Sequence, residues 1–447
     1  MRKRLLTMLL ALSMVATTAV VPVSEPVSAV AATKKAAKKS TKKTTKKSTK
    51  KLTAKQKKAQ ADQKAADKVA KLIDRIYVQN RTATTDKDCK KAKLEWDKLT
   101  SAQKKLVEGE NADPDYFGRD TGDASADNPR NWNHIGENEI LVVSFGTSFN
   151  ESRAEDIGGV EDAIADQYER QGWKVRRAFT SQIIINHVQA RDGEKIDNVQ
   201  QALDRAVKNG VKNLVIQPTH LMQGKEYNEL KDEVNAYASR FQTVTFSEPL
   251  LGEVGKDTTT VNADKETVAK AVTAEAVKDN GDSSLEAAAA SGTAFVFMGH
   301  GTSHQAAITY DQMQTQMEDL GYKNVFIGTV EGNPEDTACD RVIAKVKAAG
   351  YTKVVLRPLM AVAGDHANND MAGGDSDSWK SQFAKTFGAK NISCQIKGLG
   401  RIPEIEQIYI NHLARAVAGN KSLTVSAVTG SAIQAVKAPV SAKKKLS

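Results

Sequence analysis

Cysteine is nearly absent from the chain: Cys89, Cys339 and Cys394 lie scattered through 447 residues. An odd, widely spaced trio argues against a disulfide framework and against a thiolate metal knot, so other side chains must carry any chemistry. Long apolar runs are also lacking. Only residues 5–21 can be weighed as a membrane span, and the rest is too polar for a membrane-embedded protein. Basic charge is missing outside one end. Of the net +10, residues 1–32 hold +2 and residues 33–58 hold 13 lysines and no acid, which leaves the remainder at −5. A nucleic-acid-binding globular domain is therefore not implied.

What the N-terminal end does contain is ordered. Basic residues 2–4, the apolar run and small residues through Ala32 follow the sequence of a secretory signal, residues 1–32, with an uncleaved anchor as the alternative. Export, to the extracellular space or the cell envelope, is the expected location. Residues 33–58 alternate lysine pairs with Thr, Ser or Ala, a composition that buries nothing and repels itself, and read as a disordered spacer. It either contacts an anionic envelope or acts as a solubilising tether. Helical periodicity (Val69, Leu72, Ile73, Ile76, then Ala92, Leu94, Trp96, Leu99) marks a helical hairpin over 59–112, and an Asp-, Asn- and Gly-rich linker follows over 113–138.

Beyond the linker, apolar strands alternate with amphipathic helices. Strand runs at 140–144, 174–179, 213–217 and 243–246 are answered by runs at 294–298, 324–327, 353–357 and 393–396. The halves also echo each other in sequence. Phe-Gly-Thr-Ser148 matches Gly-His-Gly-Thr-Ser303, and Gln-Pro-Thr-His220 matches Arg-Pro-Leu-Met360. The expected fold is α/β, with two similar lobes (139–254 and 294–419), each holding a parallel sheet flanked by helices. A helical insertion (255–293) separates them, the helical hairpin precedes them, and a flexible tail (420–447) follows.

Ligands of such sheets bind beyond the carboxyl ends of the strands. His300, Glu331 and His366 each follow a strand of the second half, 31 and 35 residues apart, close to one strand-helix period. Two imidazoles and a carboxylate suit a first-row divalent metal with open positions. In the first half, His220 and Glu226 follow the third strand. A glutamate facing a metal-bearing cleft would accept protons, unless it merely complements a helix dipole. His304 is either an outer partner of His300 or a helix N-terminal residue. His187 is expected to pack near the cleft wall, and His134 and His412 are given structural roles.

The segments Val-Ser-Phe-Gly-Thr-Ser148, Arg177-Ala-Phe-Thr-Ser181, Gln189-Ala-Arg-Asp-Gly193, Met298-Gly-His-Gly-Thr-Ser-His304, Val362-Ala-Gly-Asp-His-Ala-Asn-Asn-Asp-Met371 and Asp377-Ser-Trp-Lys380 together resemble the anaerobic sirohydrochlorin cobaltochelatases, class II chelatases that work without ATP. The resemblance runs from about residue 139 to 418. It implies a two-lobed fold with a tetrapyrrole in the cleft and Co²⁺ as substrate metal, with Fe²⁺, Ni²⁺ or Zn²⁺ as alternatives and haem as another candidate ligand. By it, His300 and His366 are the paired active-site histidines, His300 also removes protons, Glu331 completes the metal site, and Glu226 faces the macrocycle. Thr147, Ser148, Arg177, Arg191 and His220 are candidate substrate contacts, as is Arg176, because a substrate with many carboxylates needs donors at the rim. The competing expectation is an exported, non-catalytic binder of haem, cobalt or a tetrapyrrole.

Overall fold

The computed structural model describes residues 53–118 and 122–429, with side chains through 419. The leader, nearly all of the lysine spacer and most of the tail fall outside the described residues. No described helix is long and apolar enough to cross a membrane.

The N-terminal module comprises α1 (Ala54–Ile76), α2 (Thr85–Asp97) and the short α3 (Ser101–Lys104). Val69, Leu72, Ile73 and Ile76 are buried against Cys89, Ala92, Trp96 and Leu99. The buried positions of α2 fall three and four residues apart, as one helical face requires. Leu94 lies off that face and is exposed, contrary to its expected place in the apolar stripe. The module and the following segment are fastened to the first lobe. Asn186 donates to the Ile76 carbonyl at 2.8 Å, and the ring of His187 lies 4.5 Å from Tyr116 and 5.8 Å from Phe117.

Residues 113–138 are tied down as well. Fully buried Asp127 accepts from Arg153 Nε at 2.7 Å and from Arg177 Nη1 at 2.7 Å. Buried charges this close to their counter-charges hold the segment on the first lobe.

Each lobe is built on a four-stranded parallel sheet. In chain order the first holds β1 (Asn138–Ser144), β2 (Lys174–Phe179), β3 (Asn213–Pro218) and β4 (Thr243–Phe246). The second holds β5 (Thr293–Gly299), β6 (Val325–Thr329), β7 (Lys353–Pro358) and β8 (Ile392–Cys394). The spatial orders, β2-β1-β3-β4 and β6-β5-β7-β8, are the same, so the repeat seen in sequence is a repeat of topology. Both faces of each sheet are covered, and the strands accordingly read as continuous apolar runs.

The first lobe adds α4 (Asn150–Ser152), α5 (Gly158–Tyr168), α6 (Gln182–Asp192), α7 (Val199–Asn209) and α8 (Lys225–Asn235). Between the lobes come α9 (Ala263–Asn280) and α10 (Leu285–Ala290), and the second lobe adds α11 (Ile308–Asp319), α12 (Cys339–Ala348), α13 (Trp379–Phe387) and α14 (Pro403–Thr429). One core spans both lobes. Val268, Val272 and Ala276 of α9 and Ile405, Tyr409 and Leu413 of α14 pack with Ile140 and Ile164 of the first lobe and Phe295 and Phe297 of the second. The expected insertion is therefore structural, and α14 crosses back onto the first lobe, where the Tyr409 hydroxyl donates to the Thr219 carbonyl at 3.1 Å.

Candidate metal and tetrapyrrole site

Strands β6, β5 and β7 are neighbours in register, Gly299 opposite Thr329 and Met298 opposite Pro358. The next residues must therefore emerge side by side. Val330 N–H donates to the Gly299 carbonyl at 2.9 Å and Glu331 N–H to the His300 carbonyl at 3.0 Å. These bonds extend the pairing past the strands and fix Glu331 against His300. His300 sits on a turn that needs glycine at 301. There φ is +93°, and an added Cβ would stand 3.0 Å from the Glu331 Cβ.

His300 and His366 meet edge to face with ring centroids 4.6 Å apart. His300 Nδ1 is 3.9 Å from Glu331 Oε1. Nearer still to each Nδ1 is an oxygen, Gly301 O at 2.8 Å from His300 and Asp370 Oδ2 at 2.6 Å from His366. An Nδ1 that donates to oxygen leaves the Nε2 lone pair free as a ligand. The rings are 35% and 28% exposed, open enough for an ion to enter and leave. Burial tends to lower the His366 pKa, but the Asp370 hydrogen bond and charge, with Asp365 and Glu331 behind them, raise it above the ordinary imidazole value. The structure brings the trio together without closing it into a cage. Among the described residues no three His, Cys, Asp or Glu side chains are already gathered on one point as ligands.

From the first lobe, His220 follows β3 with its side chain only 8% exposed, and Nε2 lies 3.7 Å from Glu226 Oε2. Neither ring nitrogen has a hydrogen-bond partner among the described residues. Burial drives its pKa down to about 4, so it is neutral at pH 7. Glu226, at the start of α8, is 53% exposed, yet its surroundings desolvate it, and with Glu229 nearby its carboxyl is raised above the ordinary range. Tyr310 of α11 is buried beneath the His300 turn and its hydroxyl accepts from Gly301 N–H at 3.1 Å. The charges of Glu331 and Glu226 both bear on that phenol, so an acid from each lobe lies near it.

The expected arginine rim is corrected. Arg177 is fully buried, held by Glu161 and Asp127, and Arg176 is buried between Glu139 and Asp197. Desolvated guanidiniums neutralised by carboxylates cannot reach a cleft substrate. Arg191 Nη2 donates to the Ser148 carbonyl at 2.7 Å and to Asn150 Oδ1 at 2.8 Å, bracing the turn instead of lining a rim. Ser148 remains half-buried on that turn. Thr147 is buried, and an added Cβ at Gly364 would stand 3.2 Å from its Oγ1, so the first-lobe turn abuts the loop that carries His366. His304 caps the turn Gln305–Ala307 through Nδ1. His412 sits at 3.1 Å from both the Glu248 carbonyl and Asp264, a structural role.

Sequence reasoning missed three groups. Asp370 is four residues after His366, a spacing that signals contact only once the loop is known to coil into the wide helical turn His366–Met371. Ser152 Oγ donates to the Ala363 carbonyl at 2.7 Å and Asp156 Oδ2 accepts from Ala363 N–H at 2.8 Å, across 211 and 207 residues. No local pattern announces a contact of that range.

Residues 138–418 match the family model described as cobalt chelatase (CbiK). Over 281 residues the chain is 34% identical to the sirohydrochlorin cobaltochelatase of Salmonella typhimurium, covering 62% of this chain and 96% of that one. Over 282 residues it is 29% identical to the sirohydrochlorin cobaltochelatase CbiKC of Nitratidesulfovibrio vulgaris, covering 62% and 90%. A solved structure of SirB from Bacillus subtilis with Fe³⁺ is similar at 14% identity and a TM-score of 0.44, over 64% of this chain and 98% of that one.

Proposed function

The chain belongs to the cobalt chelatase family, and we propose that it inserts Co²⁺ into sirohydrochlorin without ATP. The observation that carries this reading is the meeting of His300 and His366, 4.6 Å apart, beside Glu331, with Glu226 of the other lobe near the Tyr310 that lies under the same turn. Each imidazole offers Nε2 to the incoming ion, and Glu331 supplies compensating charge. Few protein ligands suit an ion that must be handed on. Insertion releases two pyrrole N–H protons for each Co²⁺ taken up, so charge is conserved with no energy-rich co-substrate. Glu226 is the acceptor in this reading. Its raised pKa brings proton affinity closer to neutrality, where a general base works best, and the neutral imidazole of His220 stands 3.7 Å behind it. Fe²⁺, Ni²⁺ and Zn²⁺ are alternative substrates of the same ligand set.

The order of residues 1–32 supports an exported protein, and the 13 lysines of 33–58 support contact with an anionic envelope. The test of catalysis is an absorbance time course with mature protein, sirohydrochlorin and Co²⁺ in the absence of ATP. Turnover beyond one equivalent is expected, and a stoichiometric shift that then stops identifies a binder. His300→Ala is expected to abolish insertion with the circular dichroism spectrum unchanged; an unaltered rate removes His300 from the mechanism.

A further inference from the structure

With Arg176 and Arg177 buried, the carboxylates of a sirohydrochlorin-type substrate need another set of donors. A recess of about 470 Å³ opens beside the site, walled from both lobes by Gln223 and Asn228 on one side, His304 and Gln305 on the other, and Lys256 between them. This volume lies within the range of small-molecule sites. No Asp or Glu lines it. Lys256 is exposed and has no ion pair among the described residues. Its loop is held in place: Gln312 donates to the Asp257 carbonyl at 2.8 Å, and the Asp257 carboxylate is engaged by Thr259 and Thr260 at 2.9 and 2.8 Å. On the other wall Gln223 donates to Glu248 at 2.6 Å. His304 accepts Ala306 N–H at Nδ1, 3.1 Å away, which puts its proton on Nε2 and makes that edge a donor. The wall thus combines one unneutralised ammonium, an imidazole N–H and side-chain amides, with no competing carboxylate.

We propose that this recess receives carboxylate arms of the tetrapyrrole, with Lys256 as the charged anchor and His304 Nε2–H beside it. The proposal rests on the chelatase reading for the ligand's class. The position fits: His304 lies four residues beyond His300, and Gln223 and Asn228 flank Glu226 in the chain, so a macrocycle between the metal histidines and Glu226 would carry its periphery here.

The experiment uses Lys256→Met and Lys256→Glu in the full chain, with melting curves confirming that this exposed position leaves folding intact. Equilibrium fluorescence titrations with uroporphyrin, which has eight carboxylates, and mesoporphyrin, which has two, are run without metal at low and moderate salt. Uroporphyrin affinity is expected to fall about three- to tenfold in Lys256→Met, as for one partly exposed charge-assisted contact, and further in Lys256→Glu. The wild-type salt dependence should weaken in both variants, and mesoporphyrin should be nearly indifferent. In insertion assays the loss should appear in KM while kcat holds. Wild-type uroporphyrin affinity in both variants, or equal losses with the two porphyrins, overturns the assignment. A wild type that binds sirohydrochlorin and inserts no Co²⁺ removes the chelatase reading instead, while the titrations still decide the recess.

Discussion

Gly301→Ala should damage chemistry more than its pseudo-symmetric counterpart Gly146→Ala, which should damage stability more. Both glycines follow the first strand of a lobe with positive φ, +93° and +99°, where an alanine costs about 1–2 kcal/mol in backbone strain. They differ in what the methyl group meets. At 301 it stands 3.0 Å from the Glu331 Cβ and 3.2 Å from Thr329 atoms. Relief of a few tenths of an ångström is available if the Glu331 turn moves away from His300, because that turn is half-exposed. The displaced group is the carboxylate proposed to complete the metal site. Since about 1 Å of misplacement costs on the order of a hundredfold in rate, a shift of this size should cost roughly three- to tenfold in insertion. At 146 the methyl group stands 2.5 Å from a ring carbon of Phe179, which is fully buried. Overpacking there adds about 1–3 kcal/mol to the strain while His300 and His366 lie in the other lobe. Denaturant unfolding with the cobalt insertion assay reads both effects. Equal activity losses, or a larger stability loss at 301 than at 146, would refute the reasoning that glycine at 301 is there to let Glu331 close on His300.

Further consequences concern buried charge. Asp127→Asn strips a shared counter-charge from Arg153 and Arg177, and unfolding free energy should fall by about 3–5 kcal/mol; a loss below about 1 kcal/mol would show that the 113–138 segment contributes little to the fold. His220 must stay neutral in the folded chain, with a pKa near 4 against 6.5 for an ordinary imidazole. Between those values the unfolded chain binds the extra proton, so stability is lost as pH falls, by up to about 3 kcal/mol at the lower end. His220→Gln should remove that part of the slope when unfolding curves at pH 7 and pH 4.5 are compared with wild type, and parallel pH dependence would contradict it. Asp156→Asn keeps an acceptor for Ala363 N–H but removes the counter-charge of Arg401. We expect about 2–4 kcal/mol of destabilisation together with a lower insertion rate, since His366 lies three residues beyond Ala363; a stability loss with full activity would mean that the clamp does not position His366.

The parts of this molecule that were legible in the sequence are those fixed by local period and by repetition. Apolar runs such as residues 140–144 and 294–298, short and followed by glycine turns, read as buried strands, and the repeated Gly-Thr-Ser turns announced a repeated topology. His300, Glu331 and His366 were legible because a parallel sheet delivers successive strand ends to one edge, so spacing near one strand-helix period translates into proximity. The arginines were misread for a complementary reason. Composition says that Arg177 is cationic, but only the fold says that Glu161 and Asp127 reach it from 16 and 50 residues away. β2 carries Lys174, Arg176 and Arg177 among its six residues, yet from Val175 on it is buried, and its place as a strand covered on both faces was the available clue: a charge inside such a strand must be neutralised in place and cannot serve a cleft. The Ser152 and Asp156 grip on Ala363 and the return of α14 to the first lobe had no such clue. They are contacts between surfaces that exist only after both lobes have formed. What joins the halves is therefore what the sequence conceals, and the distance across the cleft is set by those joins.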